Sequence, residues 1–126
     1  MNSLTAEAGP TPGSARLGPV ELLYVPGGGT DGPVVPGAPV TLAIRPEEIV
    51  VGPAARGAAN RLTTRIRAAQ FLGSFTRLAL VLPGEPAAVL ECDVAANAFA
   101  ELGVKEGGEL DLALRPDALR VFPAEG

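Results

Sequence analysis

Apolar and polar residues alternate along most of the chain in short runs, and clusters of glycine and proline separate these runs. Alternation with a period of two is typical of a strand that has one buried face and one solvated face. The pattern predicts six strands, over residues 20–24, 40–44, 64–68, 75–82, 89–93 and 109–114. The core face of the last two of these strands is predicted to carry Leu90, Cys92, Leu110, Leu112 and Leu114.

Turns and loops are predicted between the strands, at residues 9–14, 26–39 and 83–87. Only residues 94–102 are typical of a helix, because Phe99 and Leu102 are three positions apart and Gly103 provides a stop. The 16 glycines and 13 prolines in 126 residues also favour many short elements over long helices. The predicted fold class is all-β, a small OB-fold-like barrel of short antiparallel strands with one short helix.

Two internal echoes indicate that this barrel is built from two related halves. Residues 42–51 match residues 112–121 at a constant offset of 70, and residues 2–5 match residues 60–63 more weakly. We therefore predict a single domain over 1–126, with a short first half (1–51, including the loop 26–39) and a more complete second half (52–126).

Three local signals give structural expectations. Each longer echo contains an arginine, a proline and an acidic residue, and this step is predicted to end a strand and start a tight turn. The two turns comprise Arg45, Pro46 and Glu47, and Arg115, Pro116 and Asp117. Gly73 is expected at a bulge or bend, and Phe71 and Phe75 are expected in the core.

The residue types that are missing exclude several kinds of chemistry. The chain has no histidine and one cysteine, so neither a histidine-assisted nucleophile nor a zinc site of histidine and cysteine ligands can be assembled. The one lysine, Lys105, is not in a P-loop, and the glycine string 27–32 is followed by prolines that forbid the helix of a nucleotide site. We expect no catalysis and no cofactor, and an inert buried thiol at Cys92.

Charge is unevenly distributed along the chain. Residues 49–84 carry five arginines and no acid, whereas the chain as a whole has a net charge of −4. The candidate anion or interface contacts in this stretch are Asn60, Arg61, Thr63, Arg65 and Arg67. The alternative interpretation is a solvated outer face, because Arg65 and Arg67 alternate with apolar residues. Nucleic acid is not an expected partner, because the net charge is negative and aromatic residues are few.

Several segments in order carry a resemblance to a known family. They are Val40–Ile49, Asn60-Arg61-Leu62, Phe71–Arg77, Gly107–Leu110 and Leu114–Asp117. This combination resembles the TOBE domain, the transport-associated OB domain at the C-terminal end of ATPase subunits of bacterial ABC importers. Met1–Leu4 is similar to the point where that family leaves its ATPase domain, which implies a C-terminal fragment. The segment 71–77 resembles subunits of importers for ferric iron, polyamines and 2-aminoethylphosphonate.

The resemblance implies a non-enzymatic regulatory or accessory domain whose parent polypeptide hydrolyses ATP. The implied partners are a second copy of the parent ATPase, the upstream ATPase domain and, indirectly, the permease subunits. The implied location is cytoplasmic, peripheral to the inner membrane through the transporter complex. Two alternatives stay open: a small oxyanion-binding domain of the molybdate type, and a single-stranded nucleic-acid-binding domain. Residues 58–62 resemble the Ser-Ala-Arg-Asn segment of molybdate-binding relatives, but alanines replace the serine and the arginine before Asn60.

Overall fold

The computed structural model describes residues 2–25, 35–82 and 88–123, and within these ranges the chain forms ten strands and one α-helix. The strands of the first half are β1 (Asn2–Ala8), β2 (Ser14–Leu17), β3 (Val20–Leu23), β4 (Pro39–Ile44) and β5 (Ile49–Val51). The strands of the second half are β6 (Arg61–Phe71), β7 (Phe75–Val81), β8 (Val89–Ala95), β9 (Glu109–Leu114) and β10 (Arg120–Pro123). The helix, α1, spans Ala96–Leu102.

The strands form two five-stranded antiparallel sheets that together make a nearly closed barrel. The strand order is β10-β4-β1-β2-β3 in one sheet and β5-β9-β6-β7-β8 in the other. Each half therefore places its last strand in the sheet of the other half. The mostly β class and the construction from two related halves are both confirmed.

Alternation explains why these residues form strands around one core. In β1 every second side chain is buried, and β7 follows the same period. The predicted core face of β8 and β9 is confirmed, because all five of its residues are buried. A single hydrophobic cluster includes Leu22 and Leu42 of the first half together with Leu78 and Leu112 of the second. The two halves consequently share one core.

Some predicted boundaries were wrong. Four strands were missed, β1, β2, β5 and β10, and the predicted helix over 94–102 begins only at Ala96, because Val94 and Ala95 complete β8. The core prediction for Phe71 was also wrong, since 72% of its surface is exposed. Phe71 ends β6 at the hairpin to β7, where the last residues of the strand are mostly exposed. Phe75 is half-buried.

The remaining turn predictions fall at the ends of strands. Pro46–Glu48 forms a 3-10 turn in which the Glu48 amide donates to the Arg45 carbonyl at 3.0 Å. The Ala118 amide makes the equivalent bond to the Arg115 carbonyl, also at 3.0 Å. Gly73 has a positive φ of 89° in the β6–β7 hairpin, a conformation that favours glycine. The bulge lies elsewhere, between Ile66 and Ala68.

Three predicted features fall wholly or partly outside the described ranges. The glycine string 27–32 and the loop 83–87 lie outside the described residues, and so does most of the loop 26–39. Its last residue, Pro39, is the first residue of β4. Of the residues the structure describes, none belongs to a helix with the length and apolar content needed to cross a membrane.

Candidate functional site: the outer face of β6 and β9

The candidate residues lie mostly on the solvent side of β6. Along this strand Arg61, Thr63 and Arg65 point outward while the residues between them are buried. The neighbouring strand β9 runs antiparallel, so that Thr63 is opposite Asp111 and Arg65 is opposite Glu109. We call Arg61, Thr63, Arg65, Glu109 and Asp111 the β6–β9 outer face. Each basic side chain on this face therefore has an acidic residue within a short distance along the neighbouring strand.

Asp111 is the centre of the polar contacts on this face. The Thr63 hydroxyl donates to Asp111 Oδ1 at 2.9 Å, and Arg61 Nη2 lies 3.3 Å from Oδ2. Arg56 Nε approaches the same oxygen at 3.6 Å. The hydrogen bond from Thr63, followed by the charges of the two arginines, lowers the pKa of Asp111 from its ordinary value of 3.8. The carboxylate thus offsets positive charge that the sequence alone assigns to an anion surface.

Asn60 lies beneath this face, with only 9% of its surface exposed. Its Oδ1 accepts from the Leu23 amide at 2.7 Å. Its Nδ2 donates to the carbonyls of Leu23 and Leu114 at 2.6 and 2.7 Å. Asn60 also adopts a positive φ of 59°, which asparagine tolerates better than most residues. Its side-chain amide is therefore engaged by backbone from both halves.

Arg65 and Thr63 line a shallow depression of about 360 Å³, together with Thr64, Val81, Leu82 and Glu109. The Thr64 hydroxyl is directed away from solvent and donates to the Leu110 carbonyl at 2.8 Å. Arg67 is exposed at the bulge and does not line this depression. The structure thus brings Thr63 and Arg65 together in one depression and places Asn60 and Arg67 away from it.

A second depression of about 300 Å³ adjoins the first through Glu109. The depression is lined by the end of α1, the segment after β5 and the start of β9. The lining residues are Gly52, Pro53, Arg56, Leu102, Val104, Glu109, Leu110 and Asp111. One arginine and two acids face this space. Its mixed charge is not the convergent set of donors that an isolated anion site requires.

Arg77, the remaining arginine of the basic stretch, is paired on β7. Its Nε and Nη2 donate to the two oxygens of Asp93 at 2.9 and 3.1 Å, and Glu91 Oε2 lies 3.7 Å from Nε. The hydrogen bond and charge of Asp93 raise the pKa of Arg77. Three of the five arginines therefore pair with acids from β8 and β9, so the positive region in the sequence is largely neutralised in three dimensions.

Sequence reasoning missed Asp111 and Asp93 as members of this surface. The sequence feature that could have indicated them is the alternation of acids in β8 and β9, at Glu91 and Asp93 and at Glu109 and Asp111. Period-two alternation predicts which residues point outward, but not which strand lies beside them. Among the described residues, no group of three or more histidine, cysteine, aspartate or glutamate side chains is placed to hold a metal ion.

Comparison with solved structures supports an OB-like barrel as the class of fold. The chain is similar to the cytoplasmic molybdate-binding protein ModG, solved with molybdate bound, with a TM-score of 0.72 and 15% sequence identity. The superposition covers 95% of this chain and 94% of the ModG chain. At this level of identity the comparison shows a shared fold.

The chain belongs to the TOBE domain family. The model of that family, described as TOBE domain, matches residues 42–122. The chain is also 33% identical over 86 residues to the sulfate/thiosulfate import ATP-binding protein CysA 2 of Chromobacterium violaceum. That match covers 68% of this chain and 24% of the relative, so the matched region is about a quarter of the relative's length. The family resemblance seen in the sequence is confirmed.

Proposed function

We propose that this chain is a regulatory accessory domain of an ATP-binding subunit of an ABC importer, with no catalysis and no cofactor of its own. The observation that carries the proposal is the 33% identity to an import ATP-binding protein over 86 residues. The family match over 42–122 supports the same assignment. The domain would act at the cytoplasmic side of the membrane, held there by the transporter complex.

The domain would support dimerisation of the parent ATPase and couple ATP hydrolysis to import. A contact between subunits influences an open and a closed state only if it differs between them. Arg65 and Arg67 suit such a contact, because both are exposed and neither is among the ion-paired arginines of the described residues. We assign these two arginines to the interface with the second ATPase copy, and the permease subunits to indirect contact.

The test is a chimaera in which this chain replaces the matched quarter of the Chromobacterium violaceum relative. We expect the chimaera to dimerise with ATP more tightly than the same protein without the domain. Replacing Arg65 and Arg67 with alanine should weaken dimerisation, whereas Arg16→Ala, an exposed arginine on β2, should not. Equal dimerisation constants and equal ATP hydrolysis with and without the domain would exclude the accessory role.

Oxyanion binding is the second candidate, favoured by the fold shared with ModG, a protein solved with molybdate. The depression lined by Thr63 and Arg65 would be the site, although Glu109 lines it too and opposes an anion. A ligand that binds the folded state at a hundredfold excess over its dissociation constant adds ~2.7 kcal/mol of stability. Thermal unfolding with molybdate, sulfate or phosphate measures this directly. A saturable rise that Arg65→Ala abolishes and Arg16→Ala retains would establish this candidate.

A further inference from the structure

The two halves of the chain complete each other by exchanging their last strands. β5 of the first half pairs with β9 of the second, and β10 of the second half pairs with β4 of the first. The registers are equivalent at the offset of 70 residues. Val51 lies opposite Leu112, and Val121 lies opposite Leu42. The contact between the halves is thus a pseudo-two-fold contact, in which each half contributes the same strand to the same place.

A pair of asparagines repeats this relationship at the first strand of each half. Asn60 binds the amide and carbonyl of Leu23 on β3, at 2.7 and 2.6 Å. Asn2 binds the carbonyl and amide of Glu91 on β8, both at 2.7 Å. Each asparagine therefore satisfies backbone groups of an edge strand in the opposite half. A contact that is self-complementary in this way has the form of the interface in a two-fold dimer.

The covalent link between the halves at this contact is short and exposed. Residues 56–59 are exposed, whereas Ala55 before them and Asn60 after them are buried. Ala55 belongs to the 3-10 turn Gly52–Ala55, which packs on β9, and Asn60 is held by Leu114 and Leu23. If residues 56–59 became extended, the two halves could separate from each other. No strand pairing within either half would change.

We propose that the surface joining the two halves also accepts the complementary half of a second copy of this chain. The product is a dimer of two barrels, each made from residues 2–55 of one copy and residues 60–123 of the other. Every strand pair, both asparagine contacts and the shared core are retained, so the exchange costs only the rearrangement of 56–59 and the association of two chains. This inference concerns the barrel itself and does not depend on the parent ATPase.

The decisive experiment is reciprocal rescue between two full-length chains, each with one damaged half. Leu42→Asp and Leu112→Asp place a charge at equivalent buried positions, one in each half. The first variant has only damaged first halves, and the second has only damaged second halves. Neither variant alone can therefore form an intact barrel. When the two are unfolded together in urea and refolded, exchange yields a heterodimer with one intact barrel. We expect native mass spectrometry to show the 1:1 heterodimer and circular dichroism to show a cooperative melting transition that neither variant gives alone.

The control pairs Leu42→Asp with Leu22→Asp, because both substitutions damage the first half and leave no intact pair of halves. Rescue by this pair, or no heterodimer from the reciprocal pair, would overturn the proposal. A second variant retains the undamaged core and removes residues 57–59, so that only Arg56 remains between Ala55 and Asn60 and the link between the halves is shortened. We expect it to refold as a dimer of twice the chain mass, and a folded monomer or the absence of any folded product would contradict the exchange.

Discussion

Asn2 and Asn60 stand in equivalent places at the starts of β1 and β6, and each uses its side-chain amide to bind backbone of the opposite half. The pairs join residues 89 and 37 positions apart in the chain. Backbone groups of edge strands are open to pairing with other chains unless something covers them. The two asparagines bind such groups at Glu91 and Leu23. These hydrogen bonds therefore join the two halves where the barrel closes.

Removing the Asn60 side chain should destabilise the barrel. Asn60→Ala leaves the Leu114 carbonyl without its side-chain donor, and unsatisfied buried groups cost about 1–3 kcal/mol each. Asn60→Gly loses the same bonds but adopts the positive φ easily, so it should be less unstable than Asn60→Ala by about 1 kcal/mol. Urea unfolding measures both. Equal stability of the two variants would show that the left-handed backbone adds no strain.

Leu112→Asp should unfold the domain. Leu112 is fully buried, and an unpaired charge in such a place costs several kcal/mol, comparable with the ~5–15 kcal/mol that stabilises a typical domain. Leu23→Asp is the matched control, because 47% of that leucine is exposed. Circular dichroism should show a lost transition for the first variant and a retained one for the second. An unchanged melting curve for Leu112→Asp would contradict the assignment of the core.

The sequence was sufficient for the fold class because period-two alternation is strong where large side chains supply it, as in β7 and β9. It was weak in β1, where small alanines at positions 6 and 8 form much of the buried face. β5 has three residues and β10 ends in proline, so neither shows a full period. The exchange of β5 and β10 between the halves was also unpredictable, because alternation indicates a buried face and not the neighbouring strand.

The candidate site was harder to predict than the fold. Its basic residues were visible as a cluster in the sequence, but the acid that offsets Arg56 and Arg61 is Asp111 on β9, 50 residues after Arg61. Thr63 and Asp111, for example, are 48 residues apart and hydrogen-bonded. Asn60 was a candidate contact because residues 58–62 resemble a segment of molybdate-binding relatives and because Arg61 and Thr63 follow closely. Its amide is nevertheless occupied by backbone from two distant segments. Long-range pairing of strands determines which polar atoms stay available, and a local pattern does not contain that information.

Acid should destabilise the domain partly through Asp111. The folded-state pKa of Asp111 is lowered, so its carboxylate favours the folded state above the ordinary pKa of 3.8. That contribution is lost as the pH falls from about 4 through the lower folded-state pKa. Asp111→Asn should therefore flatten the fall in stability over this window, measured by urea unfolding at stepped pH. Asp117→Asn, on an exposed turn, is the control, and an equal flattening by both variants would exclude Asp111 as the cause.

Cys92 should be unreactive in the folded protein. The thiol is fully buried, and desolvation, followed by the charge of Asp93, raises its pKa from 9.0 to about 12. Because the unfolded state then loses its thiol proton first, this group favours folding below about pH 9, and that contribution falls away between pH 9 and 12. A thiol reagent at pH 8 should modify Cys92 only after unfolding. Ser74→Cys, at an exposed position, is the positive control, and comparable rates at the two sites would contradict burial.

Phe71 should contribute little to stability despite its size. It is 72% exposed, and its described aromatic contact is an edge-to-face pair with Phe99, with ring centres 5.8 Å apart. Such pairs are worth about 0.5–1.5 kcal/mol beyond area burial, whereas truncating a buried leucine costs about 2–5 kcal/mol. Phe71→Ala should therefore reduce the free energy of unfolding by less than Leu80→Ala, whose side chain on β7 is fully buried. Urea unfolding of the two variants tests this ranking, and a loss at Phe71 as large as that at Leu80 would show that the hairpin packs into the core after all.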